Sequence, residues 1–256
     1  WSLPIDLRER LRNLQDLLDP AGLCAQALSI FEWDPLVGEL DRSDSEYREE
    51  LDQTRFEIVE RILVMPNGWS LLEEIVERVE DSGSIGRAIS VSGGFETLDR
   101  MTRWLESNNS NVKWAASVWV RLWLEASGPA TLHAVLKRET LNGEARKALV
   151  HCLPQSSTYW GVLTAWPDEH REYWQNGHFD IVDAEDLSDA TQELLRHGRG
   201  STATLIVARA LHYQRLHGLE DIDVNIVISS LRGAMRAQDD TCLLYTSPSP
   251  RDGLLS

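Results

Sequence analysis

The sequence predicts an all-α chain, and three observations carry that prediction. Apolar residues recur at three- and four-residue steps along nearly all of it, the spacing that gathers side chains on one face of a helix. Helix-start and helix-stop residues divide it into segments of roughly 10 to 20 residues. The one strand-like run, "DIDVNIVISSL" from Asp221 to Leu231, also fits a helix, and helix is the better reading.

Taken in order, Leu7, Leu11, Leu14 and Leu18 form the first apolar stripe. Ser43 and Glu46 have capping-box spacing, in which hydroxyl and carboxylate satisfy free backbone amides at a helix start. Phe56, Val59, Ile62 and Leu63 then run up to Pro66. Ser70 with Glu73 repeats the capping spacing ahead of Leu71, Leu72, Ile75, Val76 and Val79. "SGSIGRAISVSGG", Ser82 to Gly94, is too glycine-punctuated for a long helix and reads as a turn between hairpins.

Phe95, Leu98, Met101 and Leu105 precede an Asn-rich break. There Asn108-Asn109-Ser110 matches a glycosylation sequon, but without secretory context it reads as a helix-start loop. The helix from Asn111 to Ser127 is apolar on two faces, Val112, Ala116, Trp119 and Trp123 on one, Trp114, Val118 and Leu122 on the other. A helix buried on two sides belongs in the middle of a layered array. Pro129 and Pro167 fit first-turn positions, where a missing N–H costs nothing. Ala145, Ala148, Leu149 and Cys152 end at Pro154, and Asp183 is placed to cap a helix carrying Leu187, Ala190, Leu194 and Leu195 that stops at Gly198. Val224, Val227, Ile228, Leu231 and Met235 form the last stripe. The expected total is about 10 to 12 helices.

Such a series packs either as a stack of helical hairpins, a solenoid of the HEAT or tetratricopeptide type, or as an irregular helical array. No crisp internal repeat separates the two. Residues 1–241 are expected to form this region, with a possible subdivision near 66–70.

The last fifteen residues, 242–256, have a different character. "CLLYTSPSPRD", Cys242 to Asp252, can be back-translated to a sequence that resembles the transposase adapter of tagmentation sequencing libraries, and "GLLS" to one that resembles a library index and the start of the flow-cell sequence. The tail therefore resembles translated adapter, is expected to be disordered, and is set aside from the fold. With Trp1 at the start, the expectation is an internal fragment with the rest of the polypeptide missing on both sides.

Composition narrows function by exclusion. Lys+Arg number 25 against 41 Asp+Glu, a net charge of −16, and the tail contributes one residue of each sign. So acidic a chain repels a phosphate backbone, which argues against nucleic acid as partner. Cys24 and Cys152 lie far apart on apolar faces and read as small buried hydrophobes, so no disulfide framework is implied. No apolar run approaches membrane-span length, and the default location is cytoplasmic.

Motifs for chemistry are sparse. There is no HExxH, no Cys/His ligand spacing, no GxxxxGK[ST] and no GxGxxG, so neither metal nor cofactor is expected, and no catalytic residue is assigned. The densest aromatic stretch is "STYWGVLTAWPDEHREYWQNGHFD", where Tyr159, Trp160, Trp166, Tyr173 and Trp174 are the candidate contacts for a protein partner of basic or apolar character. It also carries Asp168, Glu169, His170, Glu172, His178 and Asp180. That coincidence allows an alternative, an all-helical glycosidase-like enzyme with an aromatic, carboxylate-lined cleft. The simpler reading of Asp168-Glu169-His170 is a charged first turn after Pro167.

The succession "SGSIGRAI", "KALVHCLPQSSTYWGVL", "EYWQNGHFD" and "ATQELLRHGRGSTATLIVARAL" resembles the helical-repeat regions of large uncharacterised bacterial multidomain proteins. Its markers are the Tyr173-Trp174 pair and Leu194, Leu195, Gly198 and Arg199. The resemblance implies an interaction or sensor segment whose signalling or defence activity sits in another domain, and it supplies no catalytic residues.

Overall fold

The structure, a computed structural model, describes residues 20–32, 44–92, 95–139, 141–179, 182–217 and 222–236. Among them it holds thirteen helices and no strand. The Leu7–Leu18 stripe, the Ser43 cap, Asp180 and the adapter-like tail lie outside the described residues. The chain divides into two compact units, one ending at Cys152 and the other beginning at Leu153. The division falls at the Leu153-Pro154 stop.

The first unit contains α1 (Pro20–Ile30), α2 (Asp44–Leu63), α3 (Gly68–Arg78), α4 (Ser82–Ser92), α5 (Phe95–Leu105), α6 (Ser110–Ser127), α7 (Pro129–Leu136) and α8 (Gly143–Val150). Helix α6 packs against α3, α4, α5 and α7, the middle position its two apolar faces imply. Its start is set by Asn109, whose Oδ1 accepts from the amides of Asn111 (2.9 Å) and Val112 (3.3 Å). Trp119 and Trp123 stack with centroids 5.0 Å apart in the core, while Trp114 is 48% exposed.

Two local expectations are corrected. Ser82 to Ser92 is not a turn: these residues form α4, which packs on α6 more extensively than any other described pair of helices. Gly83 and Gly86 lie at the crossing, where a Cβ on Gly83 would stand 2.6 Å from Trp114 Nε1 and one on Gly86 2.9 Å from the Ala115 carbonyl carbon. Gly86 allows close backbone approach of the two helices, and Gly83 leaves room for the Trp114 ring. Nor does Ser70 cap α3: the helix begins at Gly68, and Leu71 N–H already donates to Asn67 O (3.1 Å). Buried Gly68 packs against the end of α2, so the chain turns back sooner than the Ser70/Glu73 spacing implies.

One buried charge holds α1, α2 and α4 together. Arg55, 6% exposed, donates to Ile30 O (3.0 Å), Glu32 O (3.3 Å) and Ser84 Oγ (2.8 Å), pairs with Asp81 (3.3 Å) and lies over the Phe31 ring. Asp81 in turn accepts from the Ser84 amide and hydroxyl at the start of α4. A guanidinium so fully hydrogen-bonded is tolerated out of water. Cys24 and Cys152 are half-buried as residues, but the Cys152 thiol itself is enclosed: burial pushes it up to about 11, and it donates to Ala148 O.

The second unit contains α9 (Ser157–Leu163), α10 (Pro167–Asn176), α11 (Ala184–Arg196), α12 (Gly200–His217) and α13 (Val224–Arg236). Pro129 and Pro167 occupy the first positions of α7 and α10. Asp183 stands at the N-cap of α11 without a side-chain cap bond. Gly198, at φ +75°, ends α11 as the sequence predicts: Arg199 N–H reaches Leu194 O (2.8 Å) and Gly198 N–H reaches Leu195 O (3.1 Å), a Schellman closure. Residues 224–236 are helical, not strand.

Candidate interaction site

The second unit is assembled around the aromatic stretch. Tyr173 and Trp174 are fully buried, Tyr159 and Trp160 nearly so, and Trp166 is half-buried. The expectation that these side chains form a contact surface is therefore corrected for the four buried ones: they are core. Trp160 donates its indole N–H to Tyr173 Oη (3.0 Å), Trp174 stacks on Phe179 at 5.3 Å, and Tyr173 meets both rings edge-on at 5.1 Å. Rings of this size bury most apolar area when set against one another, and each polar atom then needs a partner inside. Burial pushes the Tyr173 phenol well above its ordinary range, so it stays protonated.

The residues around the cluster close it off. Arg199, just past the Schellman turn, donates to Gly177 O (2.7 Å) and lies over the Phe179 ring, so the end of α11 clamps the end of α10. Asp186 of α11, 7% exposed, accepts from the Ser157 amide (3.2 Å) and supplies the cap for α9 that Ser156 does not. His170 Nε2 accepts the Trp174 indole N–H (3.1 Å). Burial lowers the His170 pKa, Glu193 opposes that shift and His197, with ring centroids 6.3 Å away, adds to it.

A cleft of about 320 Å³ opens beside this core, lined among others by Trp160, His170, Trp174, Asp189, Glu193 and Arg196. It brings carboxylates next to aromatic residues, as the enzyme alternative requires. Its tryptophans are 6% and 0% exposed, however, so they offer almost no ring surface to a sugar, and Glu193 is ion-paired with Arg196. Of the described acids of the stretch, Asp168 is exposed and pairs with Arg171 (3.6 Å), and half-buried Glu172 accepts from Asn176. Among the described residues no cluster of three or more His, Cys, Asp or Glu could hold a metal ion, and no helix is long and apolar enough to cross a membrane.

The surface that does present apolar side chains lies elsewhere in this unit. On α13, Val224 is 65% exposed, Ile228 41%, Leu231 49% and Met235 87%. These belong to the stripe that periodicity assigns to the core, and that assignment is corrected. The opposite face, with Ser230 and Ala234 buried, is the one that packs inward. Small residues decide this: Gly200 and Gly233 meet so closely that a Cβ on Gly200 would stand 2.5 Å from the Ala234 amide nitrogen, and Thr204 Oγ1 donates to Ser230 O (3.0 Å). A face of Gly, Ala and Ser lets α13 approach α12 at backbone distance, and the larger side chains are left outside. No sequence motif marks the surface; its signal is an apolar stripe opposite a small-residue face on one helix. No protein family, curated protein or solved structure matches the chain.

Proposed function

We propose that this chain is a protein-interaction or sensor segment of a larger protein, without chemistry of its own, and that it engages its partner through the outward face of α13. The observation that carries the reading is the contiguous run of Val224, Ile228, Leu231 and Met235 in water on a helix whose other side is already packed. Helix-to-groove and helix-to-helix contacts use this i, i+4, i+7 pattern of anchors. The glycosidase-like reading is supported less, because its aromatic platform is buried and one of its acids is ion-paired.

Capture of partner proteins by the immobilised chain tests the proposal. Ile228→Glu with Leu231→Glu alters only partly exposed side chains, so the helical circular dichroism is expected to stay while capture falls at least about tenfold. Capture that is unaltered in this variant refutes α13 as the contact surface.

A further inference from the structure

We propose that the occupant of this face is a second copy of the same chain, its α13 running antiparallel to the first. The proposal rests on the interaction reading above and names its partner. Two features of α13 fit an antiparallel second copy.

The first is spacing. Val224, Ile228, Leu231 and Met235 are separated by 4, 3 and 4 residues, a pattern that is the same read in either direction. An antiparallel copy therefore sets Val224 level with Met235 of the other chain and Ile228 level with Leu231, apolar against apolar at every step. The 4-3-4 steps are also those of a coiled-coil seam, in which alternate knobs fall into the gaps of the facing helix.

The second is charge. Within α13 the only charged residues are Arg232 and Arg236, both exposed and both in its C-terminal half. At the other end stands Asp223, which holds the Asn225 amide at 2.8 Å. Antiparallel pairing brings the acidic end of each helix to the basic end of the other, twice by symmetry, whereas parallel pairing sets arginine against arginine. Because Ser230, Gly233 and Ala234 already pack inward, pairing asks no rearrangement of the unit.

A seam thirteen residues long spans about 20 Å, which places the contact at the small, weak end of specific interfaces. Sedimentation equilibrium on the full chain from ~1 to ~300 µM is therefore the measurement. A monomer–dimer equilibrium is expected. Leu231→Glu with Met235→Glu should raise its dissociation constant about 30-fold or more at unchanged helicity. Arg232→Glu with Arg236→Glu should raise it about tenfold by setting acid against acid. A wild-type chain that stays monomeric throughout overturns the proposal, as does a dimer indifferent to the stripe variant. A dimer unaffected by the arginine variant overturns the antiparallel arrangement. If the chain is monomeric while α13-dependent capture of other proteins persists, the second-copy proposal fails and the interaction reading stands. If capture is also insensitive to α13, both fail.

Discussion

Replacing Gly86 by alanine should destabilise the first unit, against the usual sign for that substitution in a helix. At an open helical site the change stabilises by about 0.5–1 kcal/mol, because glycine loses more backbone freedom on folding. At Gly86 the new Cβ would stand 2.9 Å from the Ala115 carbonyl carbon, 3.2 Å from its Cα and closer still to its oxygen. All three atoms are backbone, so no side-chain rotation relieves the clash, and α4 and α6 must part by about 1 Å. That separation loosens contacts of Ile85, Ile89, Ala115 and Ala116, every one nearly or fully buried. Overpacking of this kind costs about 1–3 kcal/mol, occasionally more, and its upper end less the helical gain leaves a net loss of about 2 kcal/mol. For a unit of this size the melting temperature should fall by about 4–8 °C. Gly143→Ala, in the same unit with nothing within 4 Å of its Cβ position, is the control and should be neutral or slightly stabilising. Thermal and urea unfolding followed by helical circular dichroism and tryptophan fluorescence measure both. Should Gly86→Ala melt at or above the wild type, the close α4–α6 approach is refuted.

The buried polar groups yield three more predictions. Arg55→Met removes the cation that Asp81, Ser84 and two carbonyls share and should cost the first unit about 3–5 kcal/mol in urea unfolding; a loss under about 1 kcal/mol would count against its structural role. Tyr173→Phe strands the Trp160 indole N–H inside the core and should destabilise the second unit by about 1–3 kcal/mol, with equal stability of the two proteins as the contrary result. His170 must be neutral at Nε2 to accept from Trp174, and its folded pKa is lowered. Its contribution is thus complete above the ordinary value of about 6.5 and is lost as pH falls from there toward the lowered value. Unfolding at pH 7.5 and 5.5 should show a larger acid loss in the wild type than in His170→Gln, and the same loss in both sinks the assignment.

Much of the local structure was legible because its causes are local. Asn109, Pro129, Pro167 and Gly198 act through the backbone groups of their own turn, so their positions in the chain predict their roles. The failures have one physical form. Gly83 and Gly86 satisfy a turn and a close helix crossing equally well, and only the presence of α6 chooses. Trp160, Tyr173 and Trp174 would serve equally as a contact surface or a core, and the packing of Phe179, with Arg199 clamping the cluster shut, makes them core. Ser70 has capping chemistry, yet the turn after Pro66 brings Gly68 onto α2 and starts the helix before Ser70 can cap it.

By itself the sequence determined that the chain is helical, where most of its helices stop and start, and which residues share a face, because periodicity and capping are properties of neighbours along the chain. Tertiary structure alone decided which face is buried, because burial is a property of neighbours in space. On α13 the two answers part. The stripe Val224, Ile228, Leu231 and Met235 is the more apolar face, but the Gly233–Ala234 side fits against Gly200 at backbone distance. Close packing outweighs the larger side chains there, and leaves them in water as the surface on which the functional proposal stands.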